Sequence, residues 1–130
     1  MKQLDPPTLA PPFARYAHGV MVPDGYRFVF TSGQLGISSD GTVPSGAFEQ
    51  ANLCFDNCAA ILAEAGMTAK DTIRINAFVT DRAYMADYMR ARDAFCSGLA
   101  RLPASTLVIV TGFTRPEFLV EVELTAGQPV

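Results

Sequence analysis

Residues 103–126 read PASTLVIVTGFTRPEFLVEVELTA, two apolar strands joined by a turn that Gly112 and Pro116 punctuate. Two carboxylates, Glu121 and Glu123, sit inside the second strand, where packing alone does not call for acids. Side chains alternate in direction along a strand, so Val120, Val122 and Leu124 share one face while Leu119, Glu121 and Glu123 share the other. If the valines face a core, the acids face solvent, a partner subunit or a ligand. On one strand face their Cα atoms lie roughly 6–7 Å apart. A partly desolvated carboxylate there gains a raised pKa and suits acid–base work on a water molecule. The competing expectation is an ion pair with Arg74 or Arg115 at an interface.

The bulk numbers bound the possibilities. A chain of 130 residues fits a single domain over 1–130 and is long enough to bury a core. With 49% hydrophobic and 18% charged residues it has the composition of a folded protein. A net charge of −3 argues against a nucleic-acid surface, which needs a basic excess. Three cysteines without a CxxC pair point to reduced thiols in a cytoplasmic setting. One histidine leaves no plausible zinc ligand set, so no metal is expected. The opening MKQLDPPTLAPPFARY lacks the apolar core of a signal peptide, and no run reaches the ~20 apolar residues of a membrane span.

Four prolines make residues 1–14 an extended lead-in. Tyr16–Val22 and Tyr26–Ser32 flank the turn Pro23-Asp24-Gly25 and predict a β-hairpin, with Phe28 and Phe30 on one face. Gly33 and Gly36 then interrupt the pattern and either form a turn or admit a close neighbour. From Ala47 to Ala65 the period becomes helical, with a stripe of Phe48, Ala51, Phe55, Cys58, Leu62 and Ala65, and Gly66 follows as a C-terminal stop. Cys54 and Cys58 read as small buried thiols. Thr72–Thr80 alternates as a strand. Asp81 caps a second helix to about Gly98, with a stripe of Met85, Tyr88, Met89, Arg92, Phe95, Cys96 and Leu99.

The order β-β-α-β-α-β-β predicts an α+β fold, a mixed sheet with both helices on one face. The uncovered face carries Phe78 and Leu119 and calls for burial in a closed homo-oligomer. His18 is a second chemical candidate, since histidine titrates near neutrality, although such a residue more often only makes a hydrogen bond beside a strand. No GxSxG elbow, phosphate loop or dinucleotide fingerprint is present, so no nucleotide cofactor is expected.

RYAHGV at 15–20, FTSGQLG at 30–36, FEQANLCFDNCAAILAEAG at 48–66, FVTD at 78–81, RDAF at 92–95, LPASTLV at 102–108 and LVEVELTA at 119–126 together resemble the RidA family, also called YjgF or endoribonuclease L-PSP-like. The resemblance implies a six-stranded, chorismate mutase-like sheet with two helices on one face. It also implies a homotrimer around a central β-barrel, with ligand clefts between subunits. It further implies hydrolysis of enamines or imines to a carbonyl compound and ammonia, without a cofactor.

Carried onto this chain, the water-orienting carboxylate is Glu121, the water-holding carbonyl is that of Leu107, and the cleft tyrosine is Tyr16. Ser32 and Gly33 form the loop beside the substrate. The family's carboxylate-gripping arginine is Ser105 here, and its helix asparagine is Met89. A hydroxyl does not replace a charged fork, so the implied substrate is an imine or related C–N compound other than 2-aminoacrylate, held by Ser105 and Thr106. Arg15, Arg101 or Arg115 are the guanidinium groups that could reach the cleft from another direction. The alternative is a trimer that binds a small molecule without turning it over. Ribonuclease activity, suggested by the family's older name, has no His pair or basic groove to support it.

Overall fold

A computed structural model describes residues 1–130. Its spine is the last strand, β7 (Val120–Pro129). One side of β7 pairs antiparallel with β3 (Tyr26–Phe30) and, further along, with β4 (Gln34–Leu35). The other side pairs antiparallel with β5 (Thr72–Val79), which in turn pairs in parallel with β6 (Ala104–Ile109). The result is a mixed five-stranded sheet. A separate ribbon of β1 (Lys2–Leu4) and β2 (Gly19–Met21) abuts the β6 edge through a bridge between Ala17 and Ala104.

Helix α1 (Ala47–Glu64) and helix α2 (Met85–Phe95) cover one face. The alternation of β7 decides which face. Val120, Val122 and Leu124 are buried under the helices, while Glu121 and Glu123 lie opposite. Cys54 and Cys58 seat α1 on β7, their thiols 3.7 and 3.9 Å from the carbonyls of Val120 and Val122. Phe55 stacks on Tyr88 and Phe95 to lock the helices together, with centroids 6.0 and 4.8 Å apart. All three cysteines are free and buried. Burial pushes the Cys58 and Cys96 thiols up to about 11 and raises Cys54 further, so they serve as packing groups. Gly66, at φ 68°, ends α1 in the conformation that favours glycine.

The expected hairpin of Tyr16–Val22 with Tyr26–Ser32 does not form. β2 takes β1 as its partner, and β3 takes β7. Pairing with β7 brings Val29 onto the core and buries Thr31, whose Oγ1 accepts from the Leu124 amide at 3.0 Å. Phe28 and Phe30 share the opposite face as expected, and both are exposed. Residues 1–14 are not uniformly a lead-in either. The prolines begin at Pro6, which leaves Lys2–Leu4 free to donate backbone hydrogen bonds as a strand.

The two strands of 103–126 are not neighbours, because β5 lies between them. Their connection passes the end of β5, pinned by Val110 N to Val79 O at 2.8 Å and Thr80 N to Leu119 O at 3.1 Å. Six strands in one sheet are replaced by five strands plus the ribbon. A register shift between Thr72 and Arg74 moves Ile73 out of full burial and Thr72 into it. Asp81 caps a single 3-10 turn, Arg82–Tyr84, by accepting from Ala83 N at 2.8 Å, and α2 proper begins only at Met85. No helix is long and apolar enough to cross a membrane.

Candidate functional site

Between α2 and the β6 edge lies an open cleft of about 210 Å³, bordered on its third side by the N-terminal segment. The alternation of β6 sends Ser105 and Leu107 to the helix side, and the turn spacing of α2 brings Met85, Met89 and Arg92 to meet them. Phe13, Ala14 and Tyr16 complete the wall. The Tyr16 hydroxyl accepts from the Phe13 amide at 3.3 Å, which ties the segment to the ring that borders the cleft. Of the residues expected at the site, Tyr16, Met89, Ser105 and Leu107 therefore meet in one place.

The others meet elsewhere. Ser32, Gly33 and Glu121 gather at the β4–β7 edge, where Leu35 pairs with Glu121. Gly33 has no side chain because the Glu121 carboxylate occupies that space: a Cβ there would lie 2.7 Å from Glu121 Cδ. Leu107 is in register with Ala77 of β5, and Ala77 with Val122 of β7. The acid is thus about two strand spacings, or ~10 Å, from the cleft strand, and on the opposite sheet face. Within one chain the expected site residues therefore form two separate groups.

The Glu121 carboxylate has no hydrogen-bond partner within the chain, and the residue is half-buried. Burial first, and then the charge of Glu123, hold its carboxyl above the usual carboxylate range. Glu123 instead ends a chain of contacts across the outer face. It accepts from Asn76 Nδ2 at 3.1 Å, Asn76 accepts from Arg74 Nε at 2.9 Å, and Arg74 donates to Thr106 Oγ1 at 2.7 Å. Arg74 thus reaches Glu123 only through Asn76. Thr106 is committed to that face and not to the cleft.

None of the three expected arginines lines the cleft. Arg15 is exposed, Arg101 donates to the carbonyls of Lys70, Thr72 and Leu102, and Arg115 pairs with Glu117 at 3.0 Å. The guanidinium in the cleft belongs to Arg92. Its signal in the sequence was an arginine within an otherwise apolar helical stripe. His18 is absent from the cleft: its Nε2 pairs with Ala10 O at 2.7 Å and its amide donates to Asp5 at 2.8 Å, so it organises the N-terminal segment. No group of three His, Cys, Asp or Glu side chains is arranged to hold a metal ion.

Residues 8–128 match the endoribonuclease L-PSP family. The chain belongs to this family, the RidA/YjgF group. It is 38% identical over 69 residues to the RutC family protein YjgH of Escherichia coli, covering 53% of this chain and 52% of that protein. It is 37% identical over 67 residues to TdcF of E. coli, named as a candidate reactive intermediate deaminase, covering 51% of this chain and 50% of that one. The aligned stretch thus spans about half the length of these curated relatives.

Solved structures of the RidA/YjgF group agree along nearly the whole chain. YyfB of Yersinia pestis, a Rid-family protein of unknown function, superposes with a TM-score of 0.86 at 27% identity, covering 98% of both chains. TdcF of E. coli with bound serine gives 0.73 at 25% identity, covering 98% of this chain and 99% of that one.

Proposed function

We propose that this RidA-family chain is a single-domain hydrolase of an imine, enamine or related C–N metabolite. It acts as a homotrimer in the cytoplasm, without cofactor or nucleic acid. The observation that carries the reading is the division of the family's site residues into two half-sites on opposite sheet faces. Each half is incomplete alone, and a neighbouring copy would bring the Ser32–Gly33–Glu121 half against the Tyr16–Met89–Ser105–Leu107 half. The exposed Phe28, Phe30 and Val108 give the sheet an apolar surface suited to such packing. The bound serine in TdcF supports a small-molecule cleft in this family.

In the reaction, the Leu107 carbonyl and the Glu121 carboxylate hold a water beside the C=N carbon. Water oxygen adds to that carbon as Glu121 takes one water proton and passes it to the imine nitrogen, giving a neutral carbinolamine. Glu121 then takes the carbinolamine hydroxyl proton and returns it to the amine nitrogen as the C–N bond breaks, so that ammonia leaves, the carbonyl compound remains and the carboxylate is regenerated. Tyr16 and Ser105 orient the substrate, the Ser32–Gly33 backbone borders it, and Met89 supplies an apolar wall.

Purified protein is mixed with imines generated in situ by an amino-acid oxidase, from 2-aminoacrylate to bulkier members, and ammonia release is timed. Acceleration by the native protein, lost in Glu121→Ala with the oligomer intact, is the expected result. Binding of the same compounds without acceleration of any of them would leave a non-catalytic binding trimer instead.

A further inference from the structure

We infer that Arg92 makes this cleft a receptor for small monocarboxylates with an apolar body, the guanidinium gripping the carboxylate next to Ser105. The inference rests on the cleft being the ligand site proposed above, and it specifies the substrate class. Arg92 is 3% exposed, and burying a guanidinium is costly unless its donors are met. Its only anionic partner is its sequence neighbour Asp93, whose Oδ1 accepts from Nε at 3.2 Å and from Nη2 at 3.0 Å. A guanidinium carries five N–H donors. Nη1 has no acceptor anywhere in the chain, and Arg92 lines the cleft.

The rest of the lining fits one kind of ligand. Beside Arg92 there are two hydroxyl groups, on Ser105 and Tyr16, and five apolar residues, with no acid among them. A further hydroxyl, that of Tyr88, is buried close to Ser105 yet has no well-formed hydrogen bond. One cation and its neighbouring hydroxyls on an apolar wall match a carboxylate head on a hydrocarbon tail. Planar guanidinium is the side chain best suited to hold such a head through paired N–H donors. Asp93 already neutralises one edge of the group, so the preference for a charged ligand is moderate.

The test is the binding of isovalerate and of its neutral isostere isovaleramide, measured by calorimetry on the full chain. Isovalerate should bind about tenfold tighter than the amide. Arg92→Met should bring isovalerate down to the level of isovaleramide, while Arg92→Lys keeps a reduced preference. Asp93→Asn should strengthen isovalerate binding, a change that a merely structural Arg92–Asp93 pair would not produce.

Equal affinity for acid and amide in the native protein would overturn the assignment. So would undetectable isovalerate binding at millimolar concentration, or full isovalerate affinity in a folded Arg92→Met. Imine turnover with no acid preference would reject the carboxylate receptor and leave the hydrolase. Acid preference without turnover would reject the hydrolase and leave the receptor.

Discussion

Replacing Gln50 by methionine should cost about 3 kcal/mol and should loosen the approach to Glu121. Gln50 is fully buried on α1 and spends its whole amide on the segments around β7. Nε2 donates to Pro44 O and Glu117 O, both at 2.8 Å, and Oε1 accepts from Leu119 N at 2.9 Å. Methionine keeps the length and removes all three bonds. Each lost bond costs roughly 1 kcal/mol, and an amide left unpaired in a buried place costs at least as much again. The carbonyls of Pro44 and Glu117 lie near the surface and can turn to water, so the Leu119 amide is the larger share. A sum near 3 kcal/mol corresponds to roughly 10 °C in Tm for a domain of this size.

Urea and thermal unfolding, run at one fixed protein concentration so that assembly does not contribute, read the loss directly. Exchange of the Leu119 amide should quicken about a hundredfold, which separates local release from global softening. Gln50→Glu keeps the Leu119 acceptor but turns a buried carboxylate oxygen toward the Pro44 and Glu117 carbonyls, so at neutral pH it should cost at least as much as methionine. A methionine variant within 1 kcal/mol of the native protein, with Leu119 exchange unchanged, would refute the claim that this amide holds the end of the sheet.

Glu121 must be ionised to take a proton from water, so kcat/KM should rise with pH through its pKa, above the ordinary 4.5. Glu123→Gln removes the neighbouring charge and should move that acid limb to lower pH, whereas an unmoved limb would dissociate it from Glu121. In the stability profile the sign is opposite. The folded chain holds the Glu121 proton more tightly than the unfolded chain, so this contribution is present at low pH and is lost as pH rises through the raised value. Glu121→Gln should flatten that part of the unfolding curve. Gly33→Ala should displace the Glu121 carboxylate and reduce turnover at least tenfold with little change in Tm, since the end of a flexible side chain can move aside. Native turnover in Gly33→Ala would show that the carboxylate position there is not critical.

Local periodicity revealed α1, the core face of β5 and the two faces of β7, because each signal comes from residues a few positions apart. Which strand pairs with which is a long-range choice that no such pattern carries. Tyr26–Phe30 was therefore legible as a strand, but its partner, almost a hundred residues away, was not. Lys2–Leu4 was hidden because three residues are too short to show alternation. Gln50 and Arg92 both lay on helices whose periodicity was read correctly. Gln50 lies outside the apolar stripe of α1, and Arg92 falls within that of α2. Their importance comes from the backbone carbonyls and the cleft wall they meet, which only the fold brings near.

β7 also explains why the core and the candidate chemistry are hard to alter separately. Consecutive residues of one strand serve them alternately, with Val120 and Val122 under α1 and Glu121 between them facing out. A one-residue slip would bury the acid and expose both valines, so every device that holds register also holds the carboxylate. Gly36 is such a device: a Cβ there would lie 2.7 Å from Gln50 Cα, so only glycine lets the segment after β4 lie this close to α1. Gln50 then joins α1 to the residues just before β7. The position of Glu121 is therefore set from both sides of the strand, by the packing of a helix that never touches the face on which the acid lies.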